Sequence, residues 1–160
     1  MSTVPMMLDL TATVTLKLAA LAFQDAPMLD DDAFLAALTD CSLHAADFGH
    51  REHLRLAWLR LRRAPLEAAI STTCADITRF ASHHGAADKF HRTVTEALLR
   101  LMAHGGAADP ALDWPAFQQR NAALLADARG LLARHYSPTL LASPDARSRF
   151  VPPDLLPLPA

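Results

Sequence analysis

Three histidines in this chain have the type and spacing of a metal-binding set. His50 and His53 lie in the segment Phe48-Gly49-His50-Arg51-Glu52-His53-Leu54-Arg55-Leu56-Ala57-Trp58. On an α-helix, residues three apart share a face. That face continues through Leu54, Ala57, Trp58 and Leu61, so both imidazoles are expected to point into a bundle interior. His91, in Asp88-Lys89-Phe90-His91-Arg92-Thr93-Val94-Thr95-Glu96, aligns with Thr95, Leu98 and Met102 on a second helix. Three neutral imidazoles with an open fourth position form a catalytic metal arrangement. The expected cofactor is one transition metal, zinc, copper or iron, which would activate water, dioxygen or a small-molecule substrate. Thr95 would orient a ligand or bound water, and Arg147 would anchor an anionic substrate. Trp58, Leu98 and Met102 would supply apolar walls.

The same residues have a plainer explanation. His-x-x-His on a helix is a weak signal, and the chain lacks His-Glu-x-x-His. Glu52 lies about 200° from His50 around a helix, so no zincin-type base accompanies the pair. Glu67 and Glu96 lack the Glu-x-x-His context of di-iron bundles. The alternative is therefore a non-catalytic helical module, binding a small molecule or a protein, with a buried histidine network that satisfies backbone groups. A third possibility is a partner module that docks through its proline-rich tail.

Cys41, His44, Asp47, His50 and His53 recur every third residue. Each such step slips about 60° around a helix, so the five cannot form one site. Cys41 is expected to pack in the core, and Asp47 to cap the following helix. His83, His84 and His104 fall at helix ends, where imidazole complements the dipole. His135 and Tyr136 are expected to line a pocket near the tail, with Arg149 a further cation there.

The elements that must position these groups are helical. Asp30, Asp31 and Asp32 open a helix reaching Ala46, with the stripe Phe34, Leu38, Cys41 and Ala45. Gly49 separates it from a helix over His50–Arg63. Pro65 suits the first turn of the next helix, which buries Ile70, Cys74, Ile77 and Phe80 and stops near Gly85. Asp88 caps a helix from Lys89 to His104, ended by Gly105-Gly106. Trp114–Leu125 and Arg129–His135 follow. The expected organisation is an N-terminal segment over 1–29 with one helix, a helical core over 30–136, and a proline-rich tail over 137–160. That tail is read as extended and packed on the bundle. The fold class is all-α, a single-domain bundle of six or seven helices with a proline-rich C-terminal tail.

Composition narrows the function classes. A length of 160 residues suits one domain, and 51% apolar with 20% charged residues allows a core. Fifteen basic and 17 acidic residues nearly cancel, which argues against nucleic acid as a partner. Two cysteines are too few for a disulfide scaffold and fit a reducing compartment. The apolar stretch Met6–Phe23 contains Asp9 and Lys17, a poor membrane span, and lacks a secretory signal. A soluble, cytoplasmic protein with no membrane partner is expected, and a homo-oligomer stays open. Nucleophile elbows, phosphate-cradling glycine loops and dinucleotide fingerprints are absent from the sequence, which excludes ATP- and NAD-dependent chemistry.

Three segments together resemble a group of small uncharacterised bacterial all-helical proteins. They are Phe48-x-His50-x-x-His53-Leu54-x-x-Ala57-Trp58, Phe90-His91-x-Thr93-x-Thr95, and Leu141-x-Ser143-Pro144-x-Ala146-Arg147-x-x-Phe150-Val151-x-Pro153-Asp154. The resemblance begins near residue 32 and brings no activity with it. It groups His50, His53, His91, Thr95 and Arg147 as residues to examine together.

Overall fold

A computed structural model describes residues 28–160, so the helix expected within residues 1–29 lies outside the described residues. The chain divides after Asp30, and the unit Asp31–Ala160 carries every element below. Its secondary structure is helical, with no strand among the described residues. In chain order the α-helices are α1 Asp31–Thr39, α2 His50–Arg63, α3 Leu66–His83, α4 Arg92–His104 and α5 Trp114–Arg120. Four short ones complete the set: α6 Ala122–Ala126, α7 Ala128–Ala133, α8 Pro138–Leu141 and α9 Pro144–Ser148. Single 3-10 turns stand at Ala45–Asp47 and Ala87–Lys89. None of the described helices is long and apolar enough to cross a membrane.

Helices α2, α3 and α4 pack on one another, and α1 lies against α3. The expected stripe of α2 is buried: Leu54, Ala57, Trp58 and Leu61 all face the core, joined by Leu56 and Leu59. From α3 come Ala69, Ile70, Cys74, Ile77 and Phe80, and from α4 Leu99 and Met102. Each large aliphatic or aromatic side chain removed from water contributes about 1.5–3 kcal/mol, which holds these amphipathic helices together. A second cluster forms where Ala97 of α4 meets Leu132, Tyr136, Ala146 and Val151. The C-terminal residues thus build a small core of their own against α4.

Four boundaries differ from the sequence expectation, each for a local reason. Helix α1 stops at Thr39 instead of continuing to Ala46. Cys41 adopts a left-handed backbone (φ 61°), and Leu43 N–H returns to the Ala37 carbonyl at 3.0 Å, turning the chain. Cys41 still packs half-buried against the core. Helix α4 begins at Arg92, not Lys89, because Phe90 and His91 are extended (φ −66°, ψ 138° and φ −137°, ψ 106°). Asn121 divides α5 from α6, its Nδ2 donating to the carbonyls of Gly105 (3.1 Å) and Phe117 (3.0 Å). A β-carbon at Gly105 would collide with that amide, so glycine there is a packing requirement. Finally, the proline-rich tail opens with two short helices. Ser137 and Ser143 cap them, and Pro138 and Pro144 occupy their first turns, where a missing N–H is harmless. Beyond them residues 149–160 hold no helix, and Val151 and Leu158 pack into the second cluster.

Candidate functional site

His91 marks the start of α4 and uses both ring nitrogens. Nδ1 accepts the Val94 N–H at 3.3 Å, which caps the helix. Nε2 donates to the Leu141 carbonyl at the end of α8, at 2.8 Å. These two bonds fix one neutral tautomer, with the proton on Nε2. Ligation through either nitrogen would require the ring to leave a partner. Thr95, one turn on, donates its hydroxyl to the His91 carbonyl at 3.0 Å. Arg147 donates Nη1 to the Asp88 carbonyl at 2.7 Å and to that of Phe90 at 3.4 Å. Both groups therefore fasten the segment that leads into α4.

His50 and His53 occupy the first turn of α2. Gly49 caps this helix, and the Glu52 carboxylate returns to accept the Gly49 N–H at 3.1 Å. Capping thus falls to Glu52, while Asp47 sits in the preceding 3-10 turn. His50 is exposed, and its Nε2 donates to the Leu124 carbonyl in α6 at 2.9 Å. His53 is half-buried, with Nδ1 donating to the Gly49 carbonyl at 2.7 Å. Its ring stacks on Phe48 with centroids 3.9 Å apart, and Phe48 meets Phe80 edge-on at 4.9 Å. Burial holds the His53 imidazole below its ordinary pKa; His50 nearby acts in the same direction, against the Gly49 hydrogen bond and Glu52.

The three imidazoles thus have separate partners: His50 with α6, His53 with its own helix start, and His91 with α8. Among the described residues no group of three or more His, Cys, Asp or Glu side chains is placed to hold a metal ion. The proposed pocket walls belong to the core, with Met102 fully buried and Trp58 packed on Trp114 at 5.4 Å between centroids. His44 is exposed. His84 packs tilted against Phe80, with centroids 4.4 Å apart, beside His83. Arg149 pairs with Asp145 one turn back.

Two carboxylates are buried, Asp76, which sequence reasoning passed over, and Glu96, which it set aside. Asp76 on α3 is held between Arg60 and Arg79 (both 2.7 Å). Glu96 on α4 is held between Arg92 (3.1 Å) and Arg100 (2.7 Å). The second cluster was legible, since Arg92, Glu96 and Arg100 follow one another at four-residue spacing. Tyr136 is fully buried instead of lining a pocket. Burial, then the Glu96 charge, push its phenol up to about 12. Compared with family models, curated proteins and solved structures, the chain matches none.

Proposed function

We propose that the chain is a non-catalytic helical binding module in which the histidines form a polar network that pins helix ends to one another. The observation that carries this reading is His91, whose two ring nitrogens both serve the backbone, one capping α4 and the other holding α8. His50 repeats the pattern by reaching the Leu124 carbonyl from the start of α2. A histidine used this way stabilises the module by satisfying backbone carbonyls at helix ends. Ligand binding then falls to surfaces that the network keeps rigid.

A metal-dependent enzyme is the second reading, and His53 favours it. With Nδ1–H on a backbone carbonyl, the Nε2 lone pair is available, the arrangement in which metal-ligating histidines are oriented. Such a site would hold one transition metal on His50, His53 and His91, with His50 and His91 released from their carbonyls. The deciding experiment is elemental analysis of protein purified without a His-tag, beside His53→Ala and His91→Ala. The module reading expects no metal dependence of folding, and a stability loss in His91→Ala whether or not zinc, copper or iron is added. Near-stoichiometric metal that both folded variants lose would overturn it in favour of the enzyme.

A further inference from the structure

We propose that an open groove along α3 binds the phosphate group of a small phosphate monoester with an apolar body. This rests on the binding-module reading and names a site for it. The groove has a volume of about 440 Å³, within the ~300–1,000 Å³ range of small-molecule sites. Its walls are one face of α3, the chain entering α4 and the end of α9.

Charge and donor placement select the ligand. Arg79 and Arg92 line the groove, and no acidic side chain does. Each arginine is held by a buried carboxylate, Arg79 by Asp76 and Arg92 by Glu96. Asp76 also serves Arg60, which leaves one positive charge in excess beside Arg79, while Glu96 and Glu67 together balance Arg92 and Arg100. Arg79 commits Nε to the Thr39 carbonyl and Nη2 to Asp76, and Arg92 commits Nε and Nη2 to Glu96. The Nη1 group of each has no protein hydrogen bond among the described residues. Two guanidinium groups held still with donors to spare are prepared for an oxyanion.

The hydroxyls of Thr78 and Ser82, one helical turn apart, add donors on the same face. A carboxylate has two oxygens for these donors, whereas a phosphate monoester has three and carries nearly two charges at neutral pH. Ala75 and Phe90 supply the apolar surface that an ester's organic part would cover. Cys74 also borders the groove, but burial raises its thiol pKa, so it stays a neutral wall.

Phenyl phosphate is the probe, titrated calorimetrically into the full chain beside phenol, benzoate and inorganic phosphate. Ala75 is exposed, so Ala75→Glu puts a negative charge in the groove without disturbing the core, and Ala68→Glu on an exposed position of the same helix is the control. Saturable 1:1 binding is expected, weakened at least tenfold by Ala75→Glu and by Arg79→Gln with Arg92→Gln, and unchanged by Ala68→Glu. Each arginine substitution leaves its carboxylate one partner, Arg60 or Arg100, which preserves folding. No saturable binding, equal binding by the two glutamate variants, or benzoate binding as tightly as phenyl phosphate would overturn the proposal. Release of phenol during the titration is a separate outcome: it would sink the non-catalytic reading and leave the groove standing.

Discussion

The Tyr136 hydroxyl donates to the Val151 carbonyl at 3.0 Å, at a position where Tyr136 has no exposed surface. Two further bonds close around the same segment. Thr93 donates its hydroxyl to the Arg149 carbonyl at 2.8 Å, and Val151 N–H returns to that hydroxyl at 3.1 Å. The extended C-terminal backbone thus obtains from α4 and Tyr136 the partners that a neighbouring strand would otherwise give it. Side chains chosen for this purpose make the tail part of the fold.

Tyr136→Phe keeps the ring and strands the Val151 carbonyl, so it should destabilise the protein by about 1–2 kcal/mol in urea unfolding. The alkaline limb gives an independent check. The folded phenol titrates near 12 against an ordinary 10, so Tyr136 contributes stability that is complete below pH 10 and lost as pH rises toward 12. Tyr136 is the chain's one tyrosine, so phenolate absorbance reads it directly. The absorbance midpoint should lie well above 10, and Tyr136→Phe should flatten the alkaline decline in stability.

His91→Ala removes a helix cap and a bond across the molecule, and about 2 kcal/mol of destabilisation is expected. Asparagine restores a capping acceptor but is too short to reach Leu141. His91→Asn should therefore recover only part of the loss, and hydrogen exchange should show the amides around α8 less protected in both variants. Full recovery in His91→Asn would show that the Leu141 bond contributes nothing.

His53 contributes to the acid limb above the range where Asp40 and Asp154 titrate. Its folded pKa lies below the ordinary 6.5, so protons favour the unfolded chain. Stability from this group is complete above about pH 6.5 and is lost as pH falls through the folded value. The imidazole C–H resonances should titrate with a midpoint below 6.5. His53→Phe, which keeps a ring against Phe48, should reduce the slope of stability against pH in that window. An unchanged slope would assign the acid limb to other groups.

How much of this was legible follows from what each residue interacts with. The run His50–Arg63 was read with its exact bounds because one apolar stripe and a preceding glycine set both its ends and its buried face. Periodicity also found the core of α3, but on α4 only Met102 of the expected stripe is buried, beside Thr93, Glu96, Ala97 and Leu99. It failed at the start of α4, because Asp88 looked like the cap of a helix from Lys89, while the chain extends through Phe90 and His91 itself caps the helix. It failed again in the tail, where proline suggested extended backbone but Ser137-Pro138 and Ser143-Pro144 are helix starts. The destinations of the imidazoles were out of reach altogether. His50 and Leu124, or His91 and Leu141, are joined by the packing of distant helices, and side-chain type carries no record of which carbonyl is across the way.

The Glu96 cluster allows a last separation of roles. Glu96 is almost fully buried, with Arg92 one turn before it and Arg100 one turn after. Glu67 adds a second, exposed carboxylate at 3.0 Å from Arg100. Removing Arg92 leaves Glu96 paired, so Arg92→Gln should cost about 1 kcal/mol or less. Removing the shared carboxylate leaves two guanidinium groups on one helix face with no common counter-charge. Glu96→Gln should therefore cost more, about 2–3 kcal/mol, once the partial exposure of both arginines is allowed for. The double variant tests whether the two act as one unit. If Arg92 depends on Glu96, losing both should destabilise the protein by less than the sum of the single losses. Simple additivity in a urea-unfolding cycle would show that the pair is not coupled, and that Arg92 is positioned by something other than its carboxylate.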